Sequence, residues 1–148
     1  MEVDPGELGD CCGGGGDDTC VFAKALLARH AGCGLVQRRA LGEREWLGCT
    51  SPVARINCAT LAALLRERST FALHLPRPGT PLPHVKVMQV QCGGLTGLQQ
   101  SLQATERDVH QMVQQAQSDW GSLLDAPWGE IVRCVVAWHP RTRGVPRA

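Results

Sequence analysis

The chain has 148 residues, with 15 Lys and Arg against 14 Asp and Glu and a formal net charge of +1. That length supplies one ordinary domain and not two. No basic block is dense enough to point to nucleic acid, and the longest apolar run, 131–138, is interrupted by Arg133 and too short to span a bilayer. The start has none of the basic, apolar and small-residue regions of a secretory signal, so a cytoplasmic protein without a membrane role is expected.

Residues 1–19 hold six acidic side chains, no basic ones and the run Gly13 to Gly16. Such a segment buries too little apolar surface to offset its ordering entropy, and a disordered acidic tail is expected there. Residues 20–140 are read as a single cysteine-bearing domain, followed by a basic tail over 141–148. Beyond the acidic tail the chain carries 15 Lys and Arg against eight Asp and Glu.

Asp17, Asp18 and Thr19 offer oxygens to a helix start, and Phe22, Ala23, Leu26, Leu27 and His30 recur at helical spacing, which predicts a helix over 19–30 stopped by Gly32 and Gly34. The stretch 35–48 fits a helix broken at Gly42 as well as it fits two short strands. Ser51 followed by Pro52 reads as an N-cap and first helical position. Val53, Ile56, Leu61, Leu64 and Leu65 then give a helix over 52–68 with a joint at Asn57.

Residues 70–75 read as a strand, and 84–91 as the second arm of a hairpin across the proline-rich loop 76–83. Leu98, Leu102, Thr105, Val109, Met112 and Ala116 alternate by threes and fours, predicting one long helix over 95–118. Its seam packs on its own domain or, as the alternative, on a partner or second copy as a homodimer. Residues 130–138 read as a closing buried strand, with a short helix as the alternative. The expected class is α+β: a mainly helical single domain with a small antiparallel sheet and the acidic tail outside it.

Eight cysteines are many for a reducing compartment, where disulfides seldom persist, so metal or thiol chemistry is the natural reading. An oxidising home would instead make them a disulfide framework whose pairing the sequence does not rank. Cys20, Cys33, Cys49 and Cys58 fall within 39 residues, and four thiolates suit a tetrahedral zinc ion or the four irons of a cubane. Zinc usually takes cysteine pairs two to four residues apart in tight turns, whereas these four stand singly. That wide spacing leans toward a 4Fe-4S cluster, with zinc or no metal as the alternatives.

Helix starts at Cys20 and Cys58 would favour their thiolates, the glycines beside Cys33 leave backbone room, and Arg55 and His30 are available to balance cluster charge. One geometric objection stands: a straight helix through 20–33 would hold those two cysteines about 20 Å apart. Cys92 or His30 are therefore the substitute ligands. Cys134, among Val132, Val135 and Val136, reads as a core residue, and Cys11 with Cys12 as incidental to the tail.

Other chemistry fails on inspection. Gly13 to Gly16 lacks the Lys-Ser or Lys-Thr of a phosphate loop, the five histidines have no paired carboxylate at ligand spacing, and nothing marks a nucleophile elbow. The expected function is a small iron–sulfur accessory or electron-transfer protein meeting a protein redox partner, and no residue names a reaction, so a non-enzymatic role is favoured with an enzyme left open. The alternative is a non-catalytic interaction or regulatory module, zinc-stabilised or redox-sensing, that binds through 95–118.

Overall fold

Two strands form where the sequence left helix and strand open. Gly42, at φ 64°, turns the chain between β1 (Val36–Leu41) and β2 (Arg44–Cys49), as a two-residue hairpin loop favours. The strands pair antiparallel from Val36 with Cys49 to Leu41 with Arg44. The computed structural model describes residues 18–140. The remainder of the expected acidic tail, with Cys11, Cys12 and Gly13 to Gly16, and the basic tail from 141 lie outside the described residues.

The expected helix over 19–30 is only α1 (Ala23–Leu27). Residues 18–20 run instead beside β2, with the Cys20 amide donating to the Leu47 carbonyl at 2.8 Å and the Cys49 amide to the Asp18 carbonyl at 2.7 Å. The Asp18 carboxylate caps nothing: it accepts from Arg39 Nε at 2.9 Å and Trp46 Nε1 at 3.1 Å. Strand pairing and these two side chains outcompete the cap. After α1, Arg29 takes a left-handed φ of 61° and the His30 amide bonds back to the Ala25 carbonyl at 2.9 Å, which turns the chain before Cys33.

Ser51 caps α2 (Pro52–Leu73), accepting from the Ala54 amide, with Pro52 in the first turn as expected. The helix runs unbroken through Asn57 and absorbs the strand expected at 70–75. It stops at His74, φ 55°, with the Leu75 amide bonded to the Thr70 carbonyl and Leu75 buried. That six-to-one bond is a helix C-cap, so the β-forming residues Thr70 and Phe71 were overridden by their place at the end of a long helix.

The second hairpin arm is likewise absent: 84–91 is helical. α3 (His84–Met88) starts after Pro83 and passes through a π segment, Gln89–Gly93, into α4 (Gly94–Leu102) with right-handed helical dihedrals throughout. The glycine pair read as a stop is a packing device. A Cβ on Gly93 would lie 2.7 Å from Val135 Cα, and one on Gly94 2.6 Å from Leu65 Cδ2.

The expected helix over 95–118 is two helices. Gln103, φ 56°, ends α4, and Asp108 caps α5 (Val109–Trp120) by accepting from the Gln111 amide. Leu98, Leu102, Val109, Met112 and Ala116 are all buried in this chain's own core. A short 3-10 turn (Leu123–Asp125) leads to α6 (Trp128–Ala137), a helix where the first expectation was a strand. Trp128, Ile131 and Val135, spaced three and four apart, are its buried face.

The architecture is mainly helical with a two-stranded antiparallel sheet. Phe22, Leu61, Leu65, Leu95, Leu98, Met112 and Ile131 are the large fully buried side chains, drawn from the segment before α1 and from α2, α4, α5 and α6. The hairpin projects beside the first turns of α2. Among the described residues no helix is long and apolar enough to cross a membrane.

Candidate functional site

Four separate segments each carry one of the singled-out cysteines. Cys20 sits on the extended segment paired with β2, held by its own amide. Cys33 lies in the loop after α1, whose flanks are tied down: the Gly32 amide donates to the Arg107 carbonyl and the Val109 amide to the Gly32 carbonyl, both at 2.8 Å, and the Gly34 amide donates to Asp108 Oδ2 at 2.8 Å. Cys49 ends β2, and its thiol donates to the Ser51 carbonyl at 3.3 Å. Cys58 lies in the second turn of α2, on the same face as Ala54 and Leu61.

These four side chains line one cavity. Its other walls are the apolar Val21, Val36, Ala54 and Val109, with Arg55 at one side. All four cysteines are half-buried and free. The objection raised by a straight helix over 20–33 does not apply, because α1 is five residues long and the chain folds back after it. Neither Cys20 nor Cys58 stands at a helix start, however, so no helix dipole favours their thiolates.

Burial pushes the Cys58 thiol up from 9.0 to about 12, with the neighbouring Cys33, Cys20 and Cys49 sulfurs and Asp108 adding to the rise. Cys20 is also raised, chiefly by burial and then by Cys33 and Cys49, against a backbone hydrogen bond from Phe22 and the opposing charge of Arg55. The thiols thus feel one another across the cavity. Among the described residues no three His, Cys, Asp or Glu side chains are arranged so that they could hold a metal ion.

The proposed substitutes are elsewhere. Cys92 is fully buried in the π segment, outside the cavity wall, and desolvation raises its thiol to about 11 despite Arg107. His30 Nε2 lies 2.8 Å from Thr96 Oγ1 and 3.1 Å from the Cys92 carbonyl oxygen, so the ring faces the start of α4 and not Cys33. Burial, and then Arg107, hold His30 below its ordinary value. Cys134, expected in the core, is half-buried with its thiol 3.4 Å from Gln100 Oε1.

Asp108 is the site residue that the sequence reading missed. Its signal was present: Asp108 followed by Gln111 is a capping-box pattern that would have broken the long helix at this point. Comparison with known protein families, with curated proteins and with solved structures finds no match to this chain, so the cysteine-lined cavity is described from its own geometry.

Proposed function

We propose that this chain is a small iron–sulfur accessory or electron-transfer protein, acting in the cytoplasm, in which Cys20, Cys33, Cys49 and Cys58 ligate a 4Fe-4S cluster and a protein redox partner exchanges the electron. The observation that carries this reading is the meeting of four thiols, from four separate segments, around one apolar-walled cavity. Burial holds the Cys58 and Cys20 thiols above their ordinary value, so these two resist ionisation. A polycation at their centre reverses that balance, because coordination deprotonates the thiol outright.

Four single cysteines from four segments, with no pair two to four residues apart, favour a cluster over one zinc ion. Tetrahedral zinc draws four thiolates to about 2.3 Å from a single point, usually from cysteine pairs in tight turns. A cubane presents four irons, each taking its own cysteine from its own direction.

The test is an absorbance spectrum with iron, sulfide and zinc analysis on protein purified without oxygen, repeated with Cys33→Ser and Cys58→Ser. The expected result is a broad band at about 400 nm with about four irons and four sulfides, lost in both variants. Colourless protein with one zinc per chain would move the reading to a zinc-stabilised module. Colourless, metal-free protein after anaerobic reconstitution would leave a thiol cluster without a cofactor and end the cluster proposal.

A further inference from the structure

We propose that a second cleft, between α2 and α3, binds a small apolar carboxylate with Arg66 as its counter-charge. The four thiols play no part in it, and none of them lines it. Phe22, Leu65 and Val90 form a buried floor, and Leu82 and Val87 close the sides. The open space is about 200 Å³. An apolar cavity of about 150 Å³ takes up benzene, so this cleft has room for a ring of that size carrying a short acid arm.

Two polar side chains reach the cleft, and they are not equivalent. Gln91 is committed to the fold: its Oε1 accepts from the Ala25 amide at 3.2 Å and its Nε2 donates to the Val21 carbonyl at 3.1 Å. Arg66 is held but not satisfied. Its Nη2 donates to the Arg77 carbonyl at 2.8 Å and the Thr80 carbonyl at 2.7 Å, which fixes the guanidinium against the proline-rich loop. Its Nε is shut off from solvent and has no hydrogen-bond partner among the described residues. No carboxylate of the described residues pairs with it either.

A half-buried cation with an unmet donor beside an apolar floor restricts what can bind there. A neutral apolar molecule would cover the floor and leave the guanidinium without a counter-charge, while an inorganic anion would meet the charge and leave the floor wet. A molecule with both an apolar body and a carboxylate does both, and carboxylates match the guanidinium in charge and geometry. The surroundings favour the same sign. Residues 62–91 hold Arg66, Arg68, Arg77 and Lys86 against Glu67 alone, a balance that attracts anions. Because loop carbonyls already hold Arg66 in place, little ordering is left for the ligand to impose.

The experiment titrates the full chain with phenylacetate and with its neutral isostere phenylacetamide, following backbone N–H signals by NMR. Phenylacetate should shift the signals of Phe22, Arg66, Val87 and Val90 and leave those of the β1–β2 hairpin in place. It should bind at least about tenfold more tightly than phenylacetamide, the ratio expected for one charge-assisted hydrogen bond. In Arg66→Gln the two should bind alike, whereas Arg66→Lys, which keeps the charge, should retain part of the preference. Ala62→Leu fills the cleft wall with Arg66 intact and should exclude both ligands, with the fold checked by a thermal melt. The comparison of the two ligands on wild type holds even where Arg66→Gln loosens the loop. No shifts with phenylacetate at millimolar concentration, equal affinity for the two ligands in wild type, or shifts lying away from the cleft would each overturn the proposal and leave the cluster reading untouched.

Discussion

Cys58 carries the largest resolved displacement among the four site thiols, from 9.0 to about 12, and desolvation is its first cause. The sign of its effect on stability follows from proton counts. Between those two values the unfolded chain holds a thiolate while the metal-free fold keeps the proton, so the unfolded state binds fewer protons and stability falls as pH rises. Metal-free wild type should therefore lose stability from about pH 9 upward faster than Cys58→Ala, which has no thiol to ionise. Urea melts of both proteins between pH 8 and pH 10.5 check this, and parallel curves would mean that Cys58 is not desolvated as described. Coordination should abolish the difference, because a bound thiolate has already lost its proton.

At the scale of elements, the core depends on how tightly α4 and the π segment approach α6 and α2. Gly93 and Gly97 face α6, where an added Cβ would lie 2.7 Å from Val135 Cα and 2.9 Å from Ile131 Cα. Backbone cannot give way as a side-chain tip can, so Gly93→Ala should destabilise by about 1–3 kcal/mol through overpacking. Gly129 in the first turn of α6 has nothing within 4 Å. There Gly129→Ala should stabilise by up to about 1 kcal/mol, since alanine is the better helix former. The opposite signs, read from denaturant midpoints at constant m-value, separate close approach from helix propensity. Ser51, between Cys49 and α2, is a third check: Ser51→Ala removes the cap and should cost about 1 kcal/mol.

Over the whole molecule, the narrow seam of Leu98, Leu102, Val109, Met112 and Ala116 is buried in the chain's own core. Leu98→Ala should cost about 2–5 kcal/mol by leaving a cavity, and sedimentation should show the same mass at every concentration as for wild type. A mass that fell in the variant would instead support a dimer through this helix pair. The seam was legible as periodicity, but the break within it was not, because Gln103 carries no strong local signal and the Asp108 cap was passed over. The second hairpin failed for a related reason. Short apolar runs at 70–75 and 84–91 fit strand and helix alike until neighbours decide, and here α2 runs into the first and the helix from α3 into α4 runs through the second.

By itself the sequence determined what depends on residue type and near neighbours: the Ser51–Pro52 start of α2, the mainly helical class, and four isolated cysteines concentrated in 39 residues. Tertiary structure alone decided that those four share a cavity. Convergence depends on contacts between segments remote in sequence, namely the pairing of residues 18–20 with β2, the short α1 with its left-handed turn at Arg29, and the anchoring of the Cys33 loop to Asp108. None of these is encoded by local propensity. The same long-range packing ties Asp108, 50 residues beyond Cys58, to the Cys33 loop through the Gly34 amide.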